Sequence, residues 1–139
     1  MKKGRITVVG LGLLGGSLLQ ALRDRKWSGT LQGVSSPQTV SEALQLGLID
    51  RGWNYDQIDL WKSESDLLFL STPIDRIAQL LQELHDSPAQ FPPNALITDV
   101  GSTKGMLSAL GEELFPLQGD QPLFVGGHPM AGSEKRGLS

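Results

Sequence analysis

The stretch "RITVVGLGLLGGSLLQAL", residues 5–22, restricts what this chain can fold into more than any other. Residues 5–9 are rich in β-branched side chains and read as a strand. Gly10-x-Gly12-x-x-Gly15 follows at once. The chain then turns helical, with Leu14, Leu18, Ala21 and Leu22 spaced to share one helix face. A strand that passes through a glycine turn into a helix is the first half of a strand–helix–strand unit, and its next strand must lie parallel to the first. In that setting each glycine has its own duty. Gly10 permits the tight turn, Gly12 lets a pyrophosphate come close to the backbone, and Gly15 lets helix and strand pack closely. Gly10, Gly12, Leu13, Leu14 and Gly15 are therefore the candidate cofactor-binding residues of this loop. The bland alternative is a glycine turn that is merely close-packed.

The rest of the chain repeats the alternation. Residues 30–35 (TLQGVS) suggest a second strand, and 38–47 a helix closed by Gly47. A short third strand is expected somewhere in 50–65. The continuous apolar run 66–71 (DLLFLS) has the character of a buried parallel strand. Thr72 then reads as a helix cap, with Pro73 at the first helical position and Asp75 completing a capping box. Ile74, Ile77, Leu80, Leu81 and Leu84 line the buried face of that helix. Residues 95–100 form the next strand, 104–115 a helix, and 123–126 a last strand. The fold expected over residues 1–139 is one α/β domain, a doubly wound and mainly parallel sheet. One-handed crossovers bring "GLGLLG", "VSSPQ", "STPID", "VGSTKG" and "GGHPMAG" to the same sheet edge, where such folds bind ligands.

Composition removes several function classes. The 139 residues include no cysteine, so neither a disulfide framework nor a thiolate-bound metal is available, and two histidines are too few for a His-rich metal site. A net charge of −3 offers no basic field for nucleic acid or an anionic membrane. The basic start and apolar stretch superficially resemble a secretion signal. Gly10, Gly12, Gly15 and Gly16 interrupt that stretch, however, and no small-residue cleavage pattern follows. A cytoplasmic, metal-free domain is expected.

The end of the second strand bears on the choice of nicotinamide cofactor. An acid there would hold the ribose 2′-hydroxyl of NAD. Here Val34 leads into Ser35, Ser36 and Pro37, with no acid before Glu42 and no Lys or Arg between Thr30 and Asp50. Two hydroxyls and a helix N-terminus favour NADP over NAD, and capping of the next helix is the competing role for both serines.

Farther along, Ser102 and Thr103 stand at a predicted helix start, where capping alone explains them. Lys104 opposes the helix dipole there, which suits either a ligand contact or a solvated surface lysine. His128 lies between Gly126-Gly127 and Pro129 and has the chemistry of a proton acceptor near neutral pH. His85, beside Asp86 and Pro88, reads as a solvated residue at a helix end.

"VVGLGLLGGSL", "STPI", "ITDVGSTKG" and "GGHPMAGSEKRG" occur here in the order seen in the prephenate and arogenate dehydrogenases of tyrosine biosynthesis, and the chain resembles that family from Arg5 to Gly137. The last two segments are its most specific motifs. The "GVSS" segment looks most like the NADP-using, cyanobacterial or plant-like arogenate branch. The resemblance implies a Rossmann-type fold and oxidative decarboxylation of arogenate or prephenate, with hydride passing to the nicotinamide. It implies that His128 binds and deprotonates the ring hydroxyl, and that Ser102 hydrogen-bonds the same hydroxyl. Thr72 and Pro73 match the segment lining the nicotinamide side, and Gly132 and Ser133 match the loop shaping the substrate pocket. It further implies a homodimer built by a helical second domain beyond residue 139, with this chain a fragment or a truncated product. The expected location is the cytoplasm, or the plastid stroma in a plant. A β-hydroxyacid-type dehydrogenase and a nucleotide-sensing regulatory module are the competing readings.

Overall fold

A computed structural model describes residues 4–99 and 123–125. Six strands, β1 (Arg5–Val9), β2 (Thr30–Val34), β3 (Arg51–Trp53), β4 (Leu67–Leu70), β5 (Leu96–Asp99) and β6 (Leu123–Val125), form one sheet. Every neighbouring pair is parallel, in the order β3-β2-β1-β4-β5-β6. The chain starts in the middle, moves outward to β3, then crosses back to β4 and moves outward the other way. The reversal leaves a crevice at the carboxyl ends of β1 and β4.

Among the described residues, four helices, α1 (Leu13–Asp24), α2 (Pro37–Gln45), α3 (Ile58–Ser63) and α4 (Ile74–Asp86), wrap the sheet, and the helix expected over 104–115 lies outside those residues. Strand alternation sorts the core into two layers. Ile6, Val8 and Leu31 pack against Leu19 of α1 and against Val40 and Ala43 of α2. Val9, Val34, Leu68, Leu70 and Ile97 pack on the other face, against Trp61 of α3 and Ile77, Leu80, Leu81 and Leu84 of α4. The sheet is doubly wound, as its sequence pattern predicts. No helix among the described residues is long and apolar enough to cross a membrane, and none of their His, Asp or Glu clusters could hold a metal ion.

Two local expectations give way to the structure. The buried face of α1 runs through Gly15 and Leu19; of the four residues expected on it, Leu18 and Leu22 are partly buried against the core, and Leu14 and Ala21 are turned to solvent. Gly15 must touch the sheet, and that rotates the apolar stripe away from Leu14. Thr72 does not cap α4: Pro73 is the N-cap residue (φ −58°, ψ 156°), with no side-chain hydrogen bond. Proline holds its predecessor extended, and the Thr72 methyl is packed toward Gly10. Asp75 thus sits in the first turn of α4 as a dipole partner, not in a capping box. The predicted stop at Gly47 holds. Gly47 lies at φ +74°, and the Gly47 and Leu48 N–H groups donate to the Leu44 and Ala43 carbonyls at 3.1 and 3.0 Å, ending α2 in a Schellman motif.

The far end of α4 is closed by a buried cation. Lys62 Nζ donates to the Leu84 carbonyl (2.7 Å) and the Ser87 carbonyl (2.9 Å), and it lies 4.9 Å from the Phe91 ring centroid. Last-turn carbonyls have no helical partner and carry the negative end of the dipole, so an ammonium group satisfies both deficits. Burial lowers the Lys62 pKa below its ordinary value, and nearby Asp59 partly offsets this. Lys62→Ala is expected to remove about 2–4 kcal/mol of stability, since it deletes charged hydrogen bonds and a packed stem together. Urea denaturation of the two proteins measures this directly.

Candidate functional site

The crevice between β1 and β4 is built from three backbone decisions. Gly10 lies at φ +93°, a conformation that L side chains rarely adopt. A Cβ there would also come within 2.6 Å of Thr72 Cγ2 and 3.1 Å of the Thr72 nitrogen. Its N–H donates to the Val34 carbonyl at 2.8 Å, carrying the contact between the first two strands one residue past β1. Gly15 is buried in the first turn of α1. A Cβ at that position would collide with the Gly10 carbonyl oxygen, with Ser71 Oγ at 2.8 Å and with Val8 Cγ1 at 2.9 Å.

Gly12 is different. It is the N-cap residue of α1 at φ −79°, and a Cβ on it would meet nothing within 4 Å. The fold therefore makes no demand for glycine here, and the empty volume lies over the start of the helix. No side chain caps α1 and no acid stands in its first turn. The first N–H groups of a helix lack intrahelical partners and carry its positive pole, so this open end suits an anion. Leu13 and Leu14 are 87% and 60% exposed in the same turn, two large apolar side chains that the core does not use.

The second-strand end behaves as two separate residues. Ser36 is exposed and caps α2, its Oγ accepting from the Thr39 N–H at 3.4 Å and donating to Thr39 Oγ1 at 3.0 Å. Ser35 is buried and its N–H donates to the Trp53 carbonyl at 3.2 Å. No acid stands in the first turn of α2. Arg51, the next cation along the chain, is engaged elsewhere: it pairs with Glu64 at 3.2 Å and lies 5.0 Å from the Trp53 ring centroid.

Across the crevice, Thr72 Oγ1 is buried without a hydrogen-bond partner, and Pro73 is exposed beside it. A buried hydroxyl left unpaired costs free energy, and it is the kind of group a bound polar ligand satisfies. His128, Ser102, Lys104, Gly132 and Ser133 lie outside the described residues. β5 and β6 end at this same edge, at Asp99 and Val125. His85 is exposed, 3.2 Å from Asp86, and far from the crevice at the other end of α4. Two residues of the edge, Asp99 in "ITDVGSTKG" and Ser71 in "STPI", lie inside motifs whose spacing assigns them no role. Asp99 closes β5 at 2% exposure. Ser71 binds the Gly10 carbonyl, and in the sequence it is a hydroxyl that ends an apolar run and opens "STPI".

The family model for the prephenate dehydrogenase nucleotide-binding domain matches residues 18–139. The chain belongs to the prephenate dehydrogenase family. It is similar to the prephenate dehydrogenase of Bacillus subtilis (strain 168), at 36% identity over 99% of this chain and 35% of that protein. The Lactococcus lactis subsp. cremoris prephenate dehydrogenase is 34% identical over 99% of this chain and 36% of its own length. Among solved structures, the prephenate dehydrogenase of A. aeolicus in complex with hydroxyphenyl propionate and NAD+ superposes with a TM-score of 0.76 at 31% identity, covering 97% of this chain and 44% of that one. The chain thus spans about a third of the length of these curated relatives. The family-model match begins after the glycine loop, which the matches to the two curated relatives span.

Gly12→Ala separates fold from binding. Its Cβ enters open space, so the only stability cost expected is that of a poorer N-cap, about 0.5–1 kcal/mol. Dinucleotide affinity is expected to fall at least about tenfold, because the methyl group occupies the approach to the helix. Thermal unfolding and calorimetric titration of the same variant check the two halves.

Proposed function

We propose that the full-length protein is an NADP-dependent arogenate or prephenate dehydrogenase of tyrosine biosynthesis, with this chain as its nucleotide-binding domain. The observation that carries the reading is the uncapped, acid-free start of α1 over the side-chain-free Gly12, in a chain of this family. The residues present fit a nicotinamide dinucleotide. Gly10, Gly12 and Gly15 shape the pyrophosphate approach, and Leu13 and Leu14 offer apolar contact beside it. Thr72 has an unpaired hydroxyl to give on the nicotinamide side, next to Pro73. When bound, the cofactor supplies the acceptor for the hydride that leaves the substrate ring as carbon dioxide is lost.

The chain's own contribution to that chemistry falls to His128 and Ser102. His128 takes the proton of the ring hydroxyl, and Ser102 hydrogen-bonds that oxygen and orients the imidazole. Each stands three residues past the end of β6 or β5, and three extended residues reach at most about 10 Å from a strand end. Gly132 and Ser133 shape the substrate pocket. For the cofactor, the absence of a carboxylate at Ser35 and Ser36 and the acid-free first turn of α2 favour the 2′-phosphate of NADP over the bare ribose of NAD. The solved relative in complex with NAD+ makes NAD the alternative. A homodimer formed through a further helical domain, and residence in the cytoplasm (or the plastid stroma of a plant), complete the proposal. Neither nucleic acid nor membrane is a partner in this reading.

Full-length protein given NADP and either arogenate or prephenate is expected to produce the ultraviolet absorbance of reduced nicotinamide, with absence of turnover on both substrates counting against the activity. His128→Asn is expected to lower kcat by about 10²–10⁴-fold, the usual worth of a positioned acid–base group. Separately, NADP is expected to raise the melting temperature more than NAD at equal concentration. A larger shift with NAD overturns the cofactor choice alone.

A further inference from the structure

Ser71 ends β4's apolar run, half-buried, between the glycine turn and the Thr-Pro step. Its hydroxyl donates to the Gly10 carbonyl at 2.6 Å, and the Val9 carbonyl lies 3.2 Å from the same oxygen. Its own N–H donates to the Val9 carbonyl at 2.9 Å. The same hydroxyl oxygen stands 2.8 Å from where a Cβ of Gly15 would be, and the Gly10 carbonyl oxygen crowds that point too. Strand end, glycine turn and helix therefore meet at one hydroxyl group.

Gly10 makes this contact consequential. With no Cβ and φ at +93°, the planar peptide joining Gly10 to Leu11 can turn over with little steric resistance. Facing inward, the Gly10 carbonyl is withdrawn from water and needs a donor. Ser71 is that donor. Facing outward, the same oxygen would be satisfied by water, and it would place a negative pole beside the open start of α1, where phosphate charge has to sit.

We propose that Ser71 is a positioning residue for the pyrophosphate site: its hydroxyl holds the Gly10 carbonyl turned into the fold, so that the loop meets phosphate without a competing negative pole. This role rests on the nucleotide reading of Gly12 and α1 given above. It concerns the electrostatics of the loop and is the same for NAD and NADP.

The test compares ADP, which carries the pyrophosphate, with adenosine, which lacks it, on the full-length protein. Ser71→Ala is expected to weaken ADP about tenfold while adenosine stays within about twofold, as fits the loss of one hydrogen bond's orienting effect. Ser71→Thr keeps the hydroxyl and is expected to restore ADP affinity to within about threefold of the parent. A lower melting temperature with an unchanged ADP-to-adenosine ratio marks a merely structural serine and overturns the role, as does equal weakening of both probes. If the alanine variant does not fold, Ser71→Cys substitutes a weak donor of similar shape, and undiminished ADP binding by it overturns the role equally. Wild-type protein that binds ADP no better than adenosine removes the pyrophosphate site itself, a failure visible before any variant is made.

Discussion

The first helix can lie against the first strand only because residue 15 has no side chain. At that crossing α1 comes close enough for the Gly15 α-carbon to face the Gly10 carbonyl, Val8 and Ser71 together. The direction of α1, and with it the aim of its N-terminal N–H groups, is set by this contact. Protein interiors are packed to crystal-like density, so even one methyl group inserted here would have to be absorbed by moving the helix. The chemistry at the sheet edge is thus fixed by a steric condition inside the core.

The two faces of the sheet divide the remaining work. On one, α1 and α2 bring the glycine turn and the β2 end into a common wall. On the other, α4 is anchored at both ends, by the Pro73 turn at its start and by the Lys62 ammonium at its finish. Beneath them, Gln32 donates to Thr7 Oγ1 at 2.8 Å and to the Glu64 carbonyl at 3.0 Å, and Ser65 completes the buried polar chain at 2.6 Å from Thr7. These polar contacts tie β1 and β2 to the end of α3, so the third crossing of the sheet is held by hydrogen bonds as well as by Trp61.

Much of the architecture was legible because period and punctuation agreed. Glycine after "RITVV", hydroxyl and proline after "DLLFL", and glycine after α2 each mark a boundary that the structure keeps. β3 was hard to read because three edge residues, Arg51–Trp53, are too short to show any alternation. The face of α1 is only half legible because leucines outnumber what the core can take: Leu18 and Leu22 pack against it, whereas Leu14 satisfies the same helical spacing and is exposed. Thr72 satisfied the residue preference for a cap, but preference does not register that its methyl is packed toward Gly10. Of the proposed site, the glycine duties could be read from spacing. The part played by Ser71 could not, because it depends on which carbonyl a neighbouring strand presents. Ser102 and His128 are carried by motif resemblance.

Ser36 ties the second-strand corner to the fold in a way that is indifferent to charge. Its hydroxyl is occupied in starting α2, a task that aspartate or asparagine performs equally well. An anionic or a neutral residue can therefore stand at this corner with the same helix beneath it. If the proposed dinucleotide reading holds, what the corner presents to a ribose can change without the scaffold having to be rebuilt, and variation or design at position 36 would alter the ligand's surroundings before it altered the protein's fold.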